Sequence, residues 1–322
     1  MRVAVIGGGQ NCEHAVSLAS AASVADALDP ATYEVVRLTI SEDGGWYDEH
    51  GEDLGLAGAV GVLQSCAVAF PVLHGPRAED GTVAALCELA GVRYVGSGVR
   101  AGALAMDKWA TKLVAEAVGV ATAPGVLLTP STAAAYRWTH PVVVKPVAAG
   151  SSHGVSLVRT PDELPDALAA ALALDDRVLV EDVVVGREID LAVLADRAGG
   201  RFVAPSLEIV TEGLFDFATK YGGTADFRIP ADLAEHQRKE LEEAAVAVFD
   251  ALGCAGVARV DFFLTADGPV LNEVNTLPGF TEQSQVPKMF AAAGITYAEL
   301  LARLITCAEE GGQRPSRSRD VR

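Results

Sequence analysis

Arg259, Asp261, Glu273 and Asn275 are the residues of this chain whose types and spacing carry the most chemistry. Side chains alternate along a strand, so Arg259 and Asp261 share one face, as do Glu273 and Asn275. Ala266-Asp267-Gly268 suits a three-residue hairpin loop with Gly268 in the left-handed position. That loop predicts the pairs 265–269, 263–271, 261–273 and 259–275, which sets Asp261 opposite Glu273 and Arg259 opposite Asn275. Two carboxylates beside an amide oxygen are hard ligands suited to Mg²⁺. Like charges opposite one another destabilise a sheet, so something must offset them. A divalent ion does so. The plainer alternatives are a solvated charged face, or Arg259 neutralising both acids.

Three further segments have chemical potential. KPVAAGSSHG (145–154) follows an apolar run and offers backbone N–H groups, the Ser151 and Ser152 hydroxyls and Lys145 to a polyphosphate. It lacks the Walker pattern, and a plain surface turn fits it as well. NTLPGFTEQS (275–284) brings Gly279, Thr281 and Ser284, small donors suited to a carboxylate, although a Pro-Gly turn alone accounts for its composition. Gly7-Gly8-Gly9 after Val3–Ile6 invites a dinucleotide site. The third glycine of that fingerprint is Cys12, and a tight strand-to-helix turn needs glycine whatever it binds.

The elements that must position these residues follow from periodicity. Residues 2–6, 33–40, 66–73 and 94–95 read as strands, with helices over about 13–28 and 81–90, which makes the first hundred residues one α/β unit. Gly96-Ser97-Gly98 marks a boundary. A helix over about 107–118 precedes strands at 126–128, 142–145, 155–158 and 177–181, with a helix near 162–174. Strands near 188–194 and 202–209 come next, then a long loop from Thr211 to Pro230, a helix over 233–252 stopped by Gly253, and the hairpin 255–264 and 269–274.

The 322 residues carry 25 Lys and Arg against 43 Asp and Glu, a net charge of −18. Such a surface repels phosphate backbones and anionic lipid, so neither nucleic acid nor a membrane is an expected partner. Five scattered cysteines with no CxxC pair read as reduced thiols in the cytoplasm. The longest uncharged stretch, Leu54–Leu73, is broken by glycines and Pro71 and is a poor membrane span. Residues 311–322, GGQRPSRSRDVR, lack apolar periodicity and read as a disordered tail.

Taken together, the segments resemble the D-alanine–D-alanine ligase family of the ATP-grasp superfamily. The matching stretches are GGGQNCEHAVSLAS (7–20), LHGPRAEDGT (73–82), YVGSGVRAGALAMDK (94–108), VVVKPVAAGSSHGVS (142–156), VLVEDVVVGREI (178–189), GLFDFATKY (213–221), VARVDFF (257–263) and LNEVNTLPGFTEQS (271–284). Eight segments in order are far more specific than any one of them. The chain departs from the family pattern at Gln10-Asn11-Cys12, Ala149, Asp182 and Gln285.

The resemblance implies an α/β (α+β) ATP-grasp fold in three domains. They are an N-terminal Rossmann-like parallel-sheet domain (1–98), a central subdomain (99–185) and a C-terminal subdomain with the metal site (186–310), with ATP between the last two sheets. It implies ATP contacts from Lys108, Lys145, Ser151, Ser152, Glu181, Glu188, Lys220 and Asn272. Two Mg²⁺ ions, replaceable by Mn²⁺, are implied on Asp261, Glu273 and Asn275. Glu13 is implied to anchor the first amino acid's ammonium and His74 to lie by its carboxylate. Arg259 and the Gly279 amide are implied oxyanion stabilisers, and Ser284 the contact to the second carboxylate. Ser151, Glu13 and Tyr221 are implied to form one hydrogen-bonded trio, with Lys220 on a lid around 213–223.

The implied reaction joins two D-alanines for peptidoglycan precursor synthesis through an acyl phosphate, in a cytoplasmic homodimer. The alternatives are a related ligase using D-lactate, D-serine or another amino acid, a non-catalytic nucleotide-binding protein, and a dehydrogenase.

Overall fold

β1 (Arg2–Gly8) is apolar from Val3 to Ile6 and buried throughout that run, as the middle strand of a parallel sheet must be. The computed structural model describes residues 1–196, 199–210 and 226–311. After β1 come α1 (His14–Ala27), β2 (Glu34–Ile40), β3 (Trp46–Tyr47), α2 (Gly55–Gln64), β4 (Val68–Pro71), α3 (Thr82–Ala90) and β5 (Arg93–Tyr94). The sheet order is β3-β2-β1-β4-β5, parallel except for β3. The glycine cluster is explained by close approach. A Cβ on Gly8 (φ +91°) would stand 2.0 Å from the Ile40 carbonyl oxygen, and one on Gly7 2.6 Å from the Ala21 Cβ. Gly9 N–H donates to Ile40 O at 2.8 Å. The glycines therefore seat α1 against the sheet, which supports the packing reading of this turn.

α4 (Val99–Met106), α5 (Lys108–Ala117), β6 (Ala121–Thr122), β7 (Gly125–Leu128), α6 (Pro130–Ala133), β8 (Val142–Pro146), β9 (Ser156–Val158), α7 (Leu164–Leu172) and β10 (Val178–Asp182) follow. Strands β7-β10-β8-β9 form an antiparallel sheet covered on one face by α7. The last part holds β11 (Arg187–Ala195), β12 (Arg201–Val203), β13 (Leu207–Val210), β14 (Asp226–Arg228), α8 (Glu235–Leu252), β15 (Val257–Thr265), β16 (Gly268–Asn275), α9 (Gln285–Ala292) and α10 (Tyr297–Gly311). Its sheet runs β14-β13-β11-β15-β16-β6, with β12 on β11.

Several expectations change in detail. The strand expected over 202–209 is two strands, β12 and β13, both on β11. Pro205 between them has no N–H to give the ladder. Asp226–Arg228, expected in a loop, pairs with β13. Residues 211–225, with Lys220, Tyr221 and the whole of the expected lid, lie outside the described residues, as do 312–322 of the expected tail. Gly311, placed in that tail, ends α10.

Packing crosses the chain-order divisions at 98 and 185. Ala101, Ala105, Ala115 and Val120 share a core with Leu241, Phe249 and Phe262 under the last sheet. Met289, Phe290, Leu300 and Leu304 share another with Val3, Val5 and Phe70 of the first. Among the described residues no single helix is long and apolar enough to cross a membrane. The bent pair α9–α10 approaches that composition because its apolar side chains fill this core.

Candidate functional site

The hairpin β15–β16 sets Arg259 opposite Asn275 and Asp261 opposite Glu273, as expected. The route differs. Thr265 pairs with Gly268, so the loop has two residues, and Val270, not Leu271, faces Phe263. The Thr265 hydroxyl donates to Gly268 O (2.9 Å) and accepts from Asp267 N–H (3.1 Å), closing the turn one residue early. A β-bulge at Asn272 restores the register before Glu273. Leu271 and Val274, three apart, both reach the same core, which a regular strand forbids. The bulge therefore leaves Asn272 and Glu273 together on the side away from that core.

Arg259 is the hub of this face. Its Nε and Nη2 donate to the two Asp261 oxygens at 2.7 Å each. Nη1 donates to Gln285 Oε1 at 2.8 Å. Asp190 Oδ2 on β11 is 3.5 Å from Nε, and Glu273 Oε1 is 3.9 Å from Nη2. Burial acts to lower the guanidinium's pKa, but Asp261 and Asp190 hold it well above the usual arginine value. Asp190 is 1% exposed and stands opposite Asp261 across β11 and β15.

Above this face lies a cavity of about 240 Å³. Glu13, His74 and Glu79 line it from the first sheet, Lys108 and Ser151 from the middle, and Arg259, Glu273, Asn275, Gly279 and Ser284 from the last. Glu13 immediately precedes α1, and its carboxylate accepts a hydrogen bond from the Ser151 hydroxyl. Two glycines make room for it, because a Cβ on Gly150 would sit 2.7 Å, and one on Gly75 3.1 Å, from Glu13 Oε2. His74 Nδ1 donates to Leu277 O at 2.9 Å, which leaves a buried Nε2 without a hydrogen-bond partner. Burial depresses the His74 pKa against the pull of Glu13, so the ring is neutral and Nε2 is a lone-pair acceptor.

Ser151 (φ +49°) and Ser152 (φ +57°), in the loop expected to hold a polyphosphate, both have left-handed backbone, a conformation that non-glycine residues keep at a cost of about 1–3 kcal/mol each and mostly at functional sites. Lys108 Nζ donates to Ala149 O at 2.9 Å and lies 3.6 Å from Glu273 Oε2. Lys145 and Glu181 lie outside the cavity lining, as a buried pair 2.6 Å apart. Glu188 stands two residues before Asp190 on the same strand face. Asn275 Oδ1 accepts from Leu277 N–H at 3.0 Å, and Ser284 Oγ from Thr281 N–H at 3.0 Å.

Asp190 and Glu79 are site residues that the sequence reading missed. Asp190 had a signal: a lone acid in the apolar run Ile189–Leu194. Burial, then the charges of Glu13 and Glu273, push Glu79 up to about 8. The folded protein thus keeps a proton that the unfolded chain gives up near 4.5, so this carboxyl costs stability as pH rises between those values. Glu79→Gln, with its oxygen still accepting from Gly75 N–H (3.1 Å in the parent), removes that cost. Without nucleotide or metal, its melting temperature should match the parent near pH 5 and exceed it at pH 8. Parallel melting curves across this range would contradict the assignment.

A family model described as "D-ala D-ala ligase C-terminus" matches residues 123–306, and one described as "D-ala D-ala ligase N-terminus" matches 2–61 and 55–97. The chain belongs to the D-alanine–D-alanine ligase family. The D-alanine–D-alanine ligase of Mycolicibacterium smegmatis is 41% identical over 355 aligned positions, covering 95% of each chain. That of Nocardia farcinica is 42% identical, covering 96% of this chain and 97% of the relative. Among solved structures, the VanG D-Ala:D-Ser ligase from Enterococcus faecalis superposes with a TM-score of 0.82 at 33% identity, over 95% of this chain and 98% of that one. The Bacillus anthracis D-alanine–D-alanine ligase complexed with ATP gives 0.79 at 28%, over 96% and 97%. With family membership comes the three-domain ATP-grasp architecture. The chain is an ATP-dependent ligase by family.

The face around Arg259 suits the divalent ion expected there in donor chemistry. Asp190, Asp261 and Glu273 outnumber Arg259 on it, and Asp261 and Glu273 stand directly opposite one another. Each Asp261 oxygen keeps a lone pair after bonding Arg259. Among the described residues no group of three or more His, Cys, Asp or Glu side chains is arranged for a metal; the expected set is two acids and an amide, Asp261, Glu273 and Asn275.

Proposed function

We propose that this family member joins two D-alanine molecules into D-alanyl-D-alanine, converting ATP to ADP and phosphate through an acyl phosphate, for peptidoglycan precursor synthesis. The observation that carries the reading is one cavity shared by Glu13, Ser151, Arg259, Glu273 and Ser284, drawn from all three sheets.

Glu13 holds the first amino acid's ammonium at the entrance to α1. The neutral His74 places the Nε2 lone pair nearby, so no second positive charge opposes that ammonium. The substrate carboxylate then points toward Lys108 and the Ser151–Ser152 turn, where ATP's terminal phosphate belongs. Phosphoryl transfer needs positioning and charge neutralisation more than covalent help from the protein. Lys108, Lys145 and, on the segment outside the described residues, Lys220 supply positive charge. Two Mg²⁺ ions held by Asp261, Glu273 and Asn275 would neutralise the polyphosphate when bound, and Mn²⁺ matches the same oxygen donors.

Glu188 on β11 and Asn272 in the bulge face the nucleotide side. Glu181 commits its carboxylate to two lysines, so its adenine contact falls to the strand end that carries it. Ser284, capping α9, and the Gly279 N–H receive the second amino acid's carboxylate and the tetrahedral oxyanion, with Arg259 beside them. The Glu13–Ser151 bond ties the first sheet to the phosphate loop; Tyr221, outside the described residues, is the third member that the resemblance implies. The assembly reads as a cytoplasmic homodimer, and five scattered cysteines with no CxxC pair are consistent with that compartment.

The test is a phosphate-release screen of D- and L-amino acids with Mg-ATP. D-alanine alone should release one phosphate per dipeptide formed. Turnover only when D-lactate or D-serine is added would replace this reading with the depsipeptide or D-seryl alternative.

A further inference from the structure

Lys112 has no part in the function proposed above, yet its side chain is among the best-held charged groups in the molecule. It lies one turn after Lys108 on α5, a helix whose N-terminus Asp107 caps by accepting from Ala110 N–H at 2.9 Å. Residues four apart share a helix face, so α5 presents both lysines to the middle sheet. Lys108 reaches the phosphate loop, whereas Lys112 runs deeper and donates to Glu181 Oε1 at 2.6 Å and to the Ala123 carbonyl. Lys145 on β8 takes the other oxygen, Oε2, also at 2.6 Å. The three side chains are 6–8% exposed. Room for Glu181 is built in, because a Cβ on Gly125 would lie 2.9 Å from the Glu181 Cγ.

Two ammoniums share one carboxylate here. Burial works to raise the Glu181 pKa, but Lys145 and Lys112 together bring it below its usual value, so the acid is ionised. The cluster then holds one positive charge more than it neutralises, and a buried unpaired charge is costly until an anion joins it. The two lysines are not equivalent. Among the described residues Lys112 has two acceptors, Glu181 and Ala123 O, whereas Lys145 has Glu181 alone and keeps two N–H donors. Lys145 is therefore the one able to leave. If it leaves, Glu181 stays neutralised only because Lys112 remains.

We propose that Lys112 is a positioning residue for nucleotide binding: by holding the buried Glu181 carboxylate, it frees Lys145 to swing to a phosphate of ATP. The inference rests on the phosphate role proposed for Lys145. Without Lys112, Lys145 and Glu181 form a closed neutral pair, and ATP must break it.

The test is ATP binding by calorimetry in the absence of amino acid, with steady-state ATP KM and kcat beside it, on parent, Lys112→Met and Lys112→Met/Glu181→Gln. Lys112→Met should weaken ATP binding and raise ATP KM by about tenfold or more, the scale of one charged hydrogen bond lost, with kcat at saturating ATP changed by less than about threefold. Removing the Glu181 charge in the double variant should recover at least about threefold of that loss, because Lys145 is free again. Lost packing alone would lower kcat and affinity together and gain nothing from the second substitution. If Lys112→Met does not fold, Lys112→Gln, uncharged but still able to donate to both acceptors, carries the same expectations. ATP affinity within threefold of the parent, or a loss that Glu181→Gln does not relieve, overturns the proposal. A parent protein that binds no ATP overturns the proposed function as well.

Discussion

Glu273→Gln should abolish ligation while leaving the fold intact and the melting temperature unchanged or higher. Glu273 faces Asp261 directly across the hairpin, and like charges so placed cost roughly 0.2–1 kcal/mol. Its contacts to Lys108 Nζ (3.6 Å) and Arg259 Nη2 (3.9 Å) are long, and its side chain is 26% exposed. Losing these two contacts therefore gives up little in the ligand-free protein. In the metal-binding role proposed for Glu273 the charge is needed, because a glutamine amide cannot replace a carboxylate as the charged half of a site for a divalent ion beside a polyphosphate. Turnover of D-alanine with Mg-ATP should fall by about a thousandfold or more, the upper end of what one preorganised charged contact supplies. Near-normal turnover in a folded Glu273→Gln protein would remove the metal assignment.

The hairpin was legible because a period of two fixes which residues share a face, and four polar residues at that period among apolar neighbours leave little choice. The turn was not. The Thr265 hydroxyl shortens it by one residue and the Asn272 bulge adds one back, so the two departures cancel at Asp261–Glu273. The apolar pair Leu271 and Val274, three apart, was the available clue, since both are buried only if the strand skips a beat. Asp190 was equally visible as one acid in an apolar strand, but its partner Arg259 lies 69 positions away and no local pattern joins them.

Lys112 left no trace. On a helix it reads as a surface lysine, and only the fold of β7 and β10 beside α5 turns it inward. Glu79 was in view within HGPRAEDG, but what sets its proton apart is the burial and the neighbouring charges of Glu13 and Glu273, which arrive from the two ends of the chain. Identity of residues was thus readable, whereas which charges meet was set by tertiary packing.

Arg259→Ala should lower kcat by about a hundredfold, the typical effect of losing one oxyanion donor, and change the KM for ATP far less. The geometry states why the effect falls on the chemical step. Asp261 takes Nε and one Nη2 proton, and Gln285 takes one Nη1 proton, so of the five donors two remain for the cavity. The guanidinium is held from three sides before any substrate arrives, and a donor already fixed need not reorganise as charge develops.

Alanine also takes the guanidinium away from Asp190 and Asp261, both under 5% exposed, and breaking such buried pairs costs about 3–5 kcal/mol. The variant should therefore melt earlier, and its kinetics belong at a temperature where it is fully folded. Arg259→Lys separates the two effects. It keeps one positive charge near both acids but cannot chelate Asp261 and reach Gln285 together, so stability should largely return while kcat stays low. A Lys variant with parental kcat would assign Arg259 to holding the sheet together and leave the oxyanion to Gly279.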